Sequence, residues 1–152
     1  MIQHIHDFYP LISSLLAMNG SQIIKLVIFG VVHGKWRLNH LFYSGGMPSS
    51  HSALVIGLAS AIGLKYGWTS GTFSIAIAFS LIVLYDSAGV RHAVGQQAKT
   101  INTIIAALNT SSQPQLKRTS EVMGHTPIEI AVGALVGLST SIALHLFLKG
   151  AL

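Results

Sequence analysis

The sequence contains no cysteine. A disulfide framework, a thiolate metal site and a cysteine nucleophile are therefore excluded. Charge is scarce as well. Asp, Glu, Lys and Arg make up 9% of the 152 residues, against about 25% in ordinary globular domains. So few charged groups cannot cover the surface of a soluble domain in which 51% of residues are apolar. The same figures exclude a disordered chain, which needs low hydrophobicity and high charge. Acidic residues are scarcest: four stand against nine Lys and Arg, a net charge of +5 with histidine neutral. In a chain of mean hydropathy +0.61 these bases belong at membrane ends or around an anionic substrate, and no nucleic-acid partner is expected. Residues 1–7 carry no Lys or Arg, so the basic region that opens a cleavable signal is not expected.

What is present is hydrophobic run after hydrophobic run. The expected fold class is all-α: a polytopic membrane helix bundle of about four transmembrane helices plus one amphipathic helix, with residues 1–152 forming a single domain. The spans are expected at residues 9–32, 48–64, 69–85 and 126–148. The first is interrupted by Asn19-Gly20-Ser21-Gln22 and by Lys25. Lys65-Tyr66-Gly67-Trp68 reads as a tight turn with an aromatic side chain suited to the membrane interface. Residues 86–108 fit an amphipathic helix at the membrane surface, with Arg91, Gly95 and Lys99 at four-residue spacing and Val90, Val94, Ile101 and Ile105 elsewhere around the wheel. Residues 109–114 read as a loop.

Four spans place both polar stretches, 34–47 and 86–124, on one membrane face with Lys35, Arg37, Arg91, Lys99, Lys117 and Arg118. The other face keeps Lys65 and Lys149. The excess of bases puts the polar face in the cytoplasm and both termini outside. The expected location is an integral membrane protein of a bacterial inner membrane.

Three clusters carry chemistry. In Gly45-Gly46-Met47-Pro48-Ser49-Ser50-His51, glycines lead into a helix start whose unpaired amides and dipole suit an anion. Ser49 and Ser50 add hydroxyls, and His51 falls in the first turn. A capped helix start with a surface histidine is the plainer reading, and both stay open. In Gly124-His125-Thr126-Pro127-Ile128-Glu129, the cap, the proline at the first helical position and the Glu three residues after the cap form a capping pattern. That pattern accounts for Glu129 but not for His125, and an imidazole oriented by a carboxylate has the parts of a nucleophile or base. In the third cluster Asp86 and Arg91 close the third span. They form either a structural ion pair or a phosphate fork, with His92 as an interfacial neighbour. Gly133 and Gly137 make a GxxxG match that points to close helix packing.

At these residues the chain resembles the divergent phosphatidic acid phosphatase family, small bacterial and plant membrane proteins related to acid phosphatases and vanadium haloperoxidases. The matching stretches begin at Gly45, Asp86 and Gly124 and cover nearly the whole chain in order. The wider superfamily implies a histidine that attacks phosphorus, a carboxylate four residues later that orients it, and a second histidine after Pro-Ser-Gly that protonates the leaving group. A lysine and two arginines hold the phosphate. His125 and Glu129 match the nucleophile pair, with Glu for the usual Asp. His51 matches the general acid, with Ser50 for the usual Gly. The superfamily's first motif, lysine, six residues, then Arg-Pro, is absent: counting from Lys35 gives Phe42 and Tyr43. Thr119 stands where an arginine is usual, with Arg118 one step away.

The resemblance implies a metal-independent membrane phosphatase without a cofactor, acting on a lipid phosphate, a diphosphate or another phosphoester. His125, Glu129 and His51 would be catalytic. Lys35, Arg37, Ser49, Ser50, Asp86, Arg91 and Arg118 would form the substrate site. The alternative is an inactive lipid-phosphate-binding or assembly protein on the same scaffold. A further reading makes His51, His125, Asp86 and Glu129 ligands of zinc or manganese. A homo-oligomer is left open.

Overall fold

The computed structural model describes residues 2–34, 36, 46–109, 116–121 and 124–150, with side chains from Asp7 onward. The described residues form five helices: α1 Ile2–His33, α2 Ser50–Tyr66, α3 Gly71–Ala88, α4 Val90–Leu108 and α5 Pro127–Gly150. The polar interruption at residues 19–25 does not break α1, because glycine and small polar residues weaken a long helix without removing its hydrogen bonds. Three segments are long and apolar enough to cross a membrane: Asp7–His33, the run Gly71–Leu108 and Pro127–Gly150. At 17 residues α2 spans about 25 Å, just short of that length. It is the central helix, packed against α1, α3 and α5. The chain is a helical membrane bundle. The expected amphipathic segment is divided at Gly89, where α3 ends and α4 begins. The start of the expected loop, Asn109, caps α4, and the rest of that loop lies outside the described residues.

The inside of the bundle is built from small residues. Ser13, Ser14, Ala17 and Ser21 are buried on α1, and Ser52, Ala53, Gly57 and Ala61 on α2. The large side chains point outward, as Ile75, Ile82 and Phe147 do at 72%, 67% and 71% exposure. Lipid tails are as apolar as leucine, so these side chains gain nothing by turning inward, whereas small residues let backbones approach. The Gly133 and Gly137 pair does this. A Cβ on Gly133 would stand 2.3 Å from the Ser49 carbonyl oxygen, and one on Gly137 would stand 2.5 Å from that of Ala53. Hydroxyls tie the helices across these contacts: Ser141 Oγ donates to the Gly57 carbonyl at 3.1 Å, Ser80 Oγ to the Val55 carbonyl at 3.1 Å, and Tyr9 OH to the Ser141 carbonyl at 2.9 Å.

Gly137→Ala is expected to destabilise the bundle by about 2 kcal/mol, since the new methyl meets backbone that cannot yield. Gly20→Ala meets nothing within 4 Å and is expected to be neutral or to stabilise by about 0.5–1 kcal/mol through helix propensity. Thermal unfolding of the two variants in one detergent checks the contrast.

Candidate active site

The ends of α1 and α3 and the starts of α2, α4 and α5 lie at one end of the bundle. Local chemistry fixes each start. Ser49 caps α2, its Oγ accepting from the Ser52 amide at 3.3 Å, while its own amide donates to the Glu129 carbonyl at 3.0 Å. The next two amides, of Ser50 and His51, belong to the first turn of α2, where N–H groups have no intrahelical carbonyl to bond. Two such adjacent N–H groups at a helix N-terminus suit an oxyanion. Gly46, at φ +84, turns the chain into this start in a conformation that favours glycine.

The start of α5 is held as tightly. The His125 amide donates to the Ser87 carbonyl at the end of α3, 3.1 Å away. A Cβ on Gly124 would fall 2.3 Å from the His92 amide nitrogen, so only glycine lets this segment lie against the start of α4. Glu129 Oε2 accepts twice, from the Thr126 amide at 3.0 Å and from His125 Nδ1 at 3.1 Å. The capping pattern and the orienting pair are therefore one arrangement.

Glu129 thereby selects the imidazole tautomer. A carboxylate only accepts, so the His125 proton sits on Nδ1 and Nε2 keeps its lone pair. His125 is 2% exposed, and among the described residues its buried Nε2 has no hydrogen-bond partner, and neither does the buried Nδ1 of His51. The two rings lie 6.0 Å apart, centroid to centroid, inclined at 58°. Buried polar atoms are nearly always satisfied, and exceptions concentrate where a site has work to do. Two such nitrogens on facing imidazoles can reach one small tetrahedral group from two sides.

Arg91, Lys25 and Asp86 lie near enough for their charges to bear on His51. Arg91 Nε donates to Asp86 Oδ2 at 2.7 Å, both side chains about half-exposed, so the ion pair forms and stands beside the histidines. Ser50, 5% exposed, follows the cap. His51, His125, Asp86 and Glu129 do not assemble as a metal-ligand group: no set of three or more His, Asp or Glu among the described residues does. Arg118 is exposed, next to Thr119, whose amide and carbonyl are both held by Asn102 at 2.8 Å. That anchor is about three turns along α4 from Arg91, and Arg118 is not among the charges that act on His51. Lys35 and Arg37 lie outside the described residues.

One residue of the site went unnoticed in the sequence. Lys25 is 7% exposed, and its charge acts on both Glu129 and His51. The available signal was a lysine on the same stripe of α1 as buried Ser14 and Ser21, inside an otherwise apolar span.

Glu129→Gln separates the roles of the carboxylate. One carbonyl oxygen can still accept from both Thr126 and His125, so the cap and the tautomer survive and only the negative charge is lost. Activity is expected to fall about 10- to 100-fold with little change in melting temperature. Glu129→Ala, which also loses the cap, is expected to be destabilised by about 1 kcal/mol and to be less active still. Paired rate and melting measurements check both.

Comparison with known proteins follows the same lines. The model of the Divergent PAP2 family matches residues 7–140. The chain is similar to a Bacillus subtilis (strain 168) protein described as uncharacterized membrane protein YuiD, at 34% identity over 150 residues, covering 91% of this chain and 95% of that one. No solved structure matches it.

Proposed function

The chain belongs to the divergent PAP2 family, and on that premise we propose that it is a membrane phosphatase hydrolysing a lipid phosphate or diphosphate through a phosphohistidine. The observation that carries this reading is the His125 imidazole, its Nδ1 bonded to Glu129 and its buried Nε2 without a partner among the described residues, 6.0 Å from the His51 ring between centroids. In the first step the Nε2 lone pair forms the bond to phosphorus and the ester P–O bond breaks. The departing oxygen takes a proton from His51. Glu129 stabilises the positive charge that appears on the His125 ring. In the second step His51, now neutral, takes a proton from water as the water oxygen attacks phosphorus. The P–N bond breaks, phosphate leaves and His125 is restored. The amides of Ser50 and His51, with Arg91, hold the phosphoryl oxygens.

A lipid substrate is favoured by what lies beside Arg91. An open apolar groove of about 740 Å³ is lined by Leu81, Ile82, Leu84, Tyr85 and Val90, with Asp86 at its polar end. A chain-bearing phosphate can lay its tail there while its head reaches the histidines. The excess of bases at this end of the bundle supports a cytoplasmic site in a bacterial inner membrane.

The test is phosphate release by purified protein in detergent with EDTA present, from phosphatidic acid, a polyprenyl diphosphate and a chromogenic phosphoester. Release from the lipid substrates is the expected result. A folded protein that releases phosphate from none of the three would contradict the phosphatase reading and favour the inactive binding scaffold.

A further inference from the structure

The superfamily's phosphate-binding lysine motif is absent from this chain, yet the bundle brings a lysine to the site from another element. Lys25 belongs to α1, about two turns before its end at His33. An ionisable side chain at that position in a membrane helix is costly, and such residues mark ligand or ion sites by default. Lys25 is 7% exposed. The turn before α2 rests on its stem: a Cβ on Gly46 would meet Lys25 Cδ at 3.8 Å and Cγ at 3.9 Å. Its ammonium charge acts on Glu129 and on His51, one group from each half of the histidine pair. One turn away on α1, Gln22 Oε1 is buried with no hydrogen-bond partner among the described residues. The start of α2 therefore has α1 chemistry beneath it, α5 chemistry opposite and Arg91 beside it.

We propose that Lys25 is a phosphate-binding cation of this site, donating from α1 to the phosphoryl group that His125 attacks. The assignment rests on the phosphatase reading above. Lys25 and Arg91 then approach the phosphate from different helices, and the anion ties α1, α2, α4 and α5 together. A positive charge aimed at the phosphoryl oxygens also stabilises the charge they carry in the transition state.

Orthovanadate, which mimics the phosphoryl group, tests the assignment with the full-length protein in detergent. Binding is read from the rise in melting temperature with vanadate concentration, since a ligand of the folded state stabilises it by mass action. Lys25→Met is expected to weaken vanadate binding about ten- to a hundredfold, and Lys25→Arg to recover part of the loss. A merely structural lysine would change the melting temperature without vanadate and leave the affinity alone. Wild-type affinity in Lys25→Met would overturn the assignment and leave the phosphatase reading standing, because the site would still bind the anion. Failure of the wild type itself to bind vanadate would overturn the site reading and the assignment with it. If Lys25→Met does not fold, Lys25→Gln replaces it: weakened binding supports the assignment and wild-type affinity overturns it.

Discussion

His125→Ala is expected to lower phosphate release by about 10⁴-fold or more while leaving the bundle folded. The size of the effect follows from what is removed. Without Nε2 no bond to phosphorus can form, and the covalent route is closed rather than slowed. What survives is the anion site, the amides at the start of α2 with Arg91, and positioning alone accelerates hydrolysis only modestly. The fold is expected to survive because the His125 backbone, not its ring, makes the tie to α3: the amide bonds the Ser87 carbonyl at 3.1 Å. Glu129 keeps its bond to the Thr126 amide at 3.0 Å. A steady-state assay of the variant beside the wild type, with melting curves for both, checks the two halves of the expectation. Near wild-type turnover in His125→Ala would show that this histidine is not the nucleophile.

His51→Ala is expected to show an effect that depends on the leaving group. A general acid contributes about 10²–10⁴-fold, and only when the departing oxygen needs a proton. A glycerol alkoxide needs one, so phosphatidic acid hydrolysis should fall by the full amount. A nitrophenolate leaves unaided, so a chromogenic aryl phosphate should lose far less. The ratio between the two substrates is therefore a readout that misfolding cannot imitate, since misfolding lowers both rates together. The comparison is made in kcat/KM, which reports the first step and not the later attack of water that His51 also assists; equal losses there on both substrates would show that His51 does not protonate the leaving group. The rings of His51 and His125 are close enough to serve one phosphorus, at 6.0 Å between centroids.

The parts of the site legible in the sequence are those with short-range signatures. The capping pattern at Thr126, Pro127 and Glu129 announced a helix start, and the structure shows that the same Glu129 oxygen serves the cap and His125. The GxxxG pair announced close packing, which falls between α5 and α2. Hydropathy identified the helical membrane bundle but not the special standing of α2. Its small residues read as a span like the others, whereas they mark the helix that α1, α3 and α5 pack around. The break at Gly89 was missed because the polar residues begin three positions earlier, at Asp86, and periodicity alone cannot separate a new helix from a change of surroundings on a continuing one.

Long-range assembly was the illegible part. Nothing local says that Lys25 on α1 lies near enough to Glu129 on α5 for their charges to interact, since that depends on how α1 is rotated against the bundle. Arg118 looked eligible because it stands one step from the position where the superfamily has an arginine. The two hydrogen bonds between Asn102 and Thr119, one in each direction, and the one that Asn102 donates to Glu121 hold its segment along α4. Asp86 and Arg91 were open to two readings in the sequence, and the structure shows the first of them, the ion pair, with Arg91 Nε donating to Asp86 Oδ2 at 2.7 Å.

The central claim is that phosphate passes through a covalent bond to His125 Nε2. The most direct measurement is a rapid quench of the protein with a ³²P-labelled lipid phosphate, in the presence of EDTA, followed by denaturation and localisation of the label on the chain. The expected result is a labelled protein whose bond is labile to acid and stable to alkali, as a phosphoramidate is, located at His125 and missing from His125→Ala. Hydrolysis that proceeds at the full rate with no label on the chain at any quench time would contradict the claim.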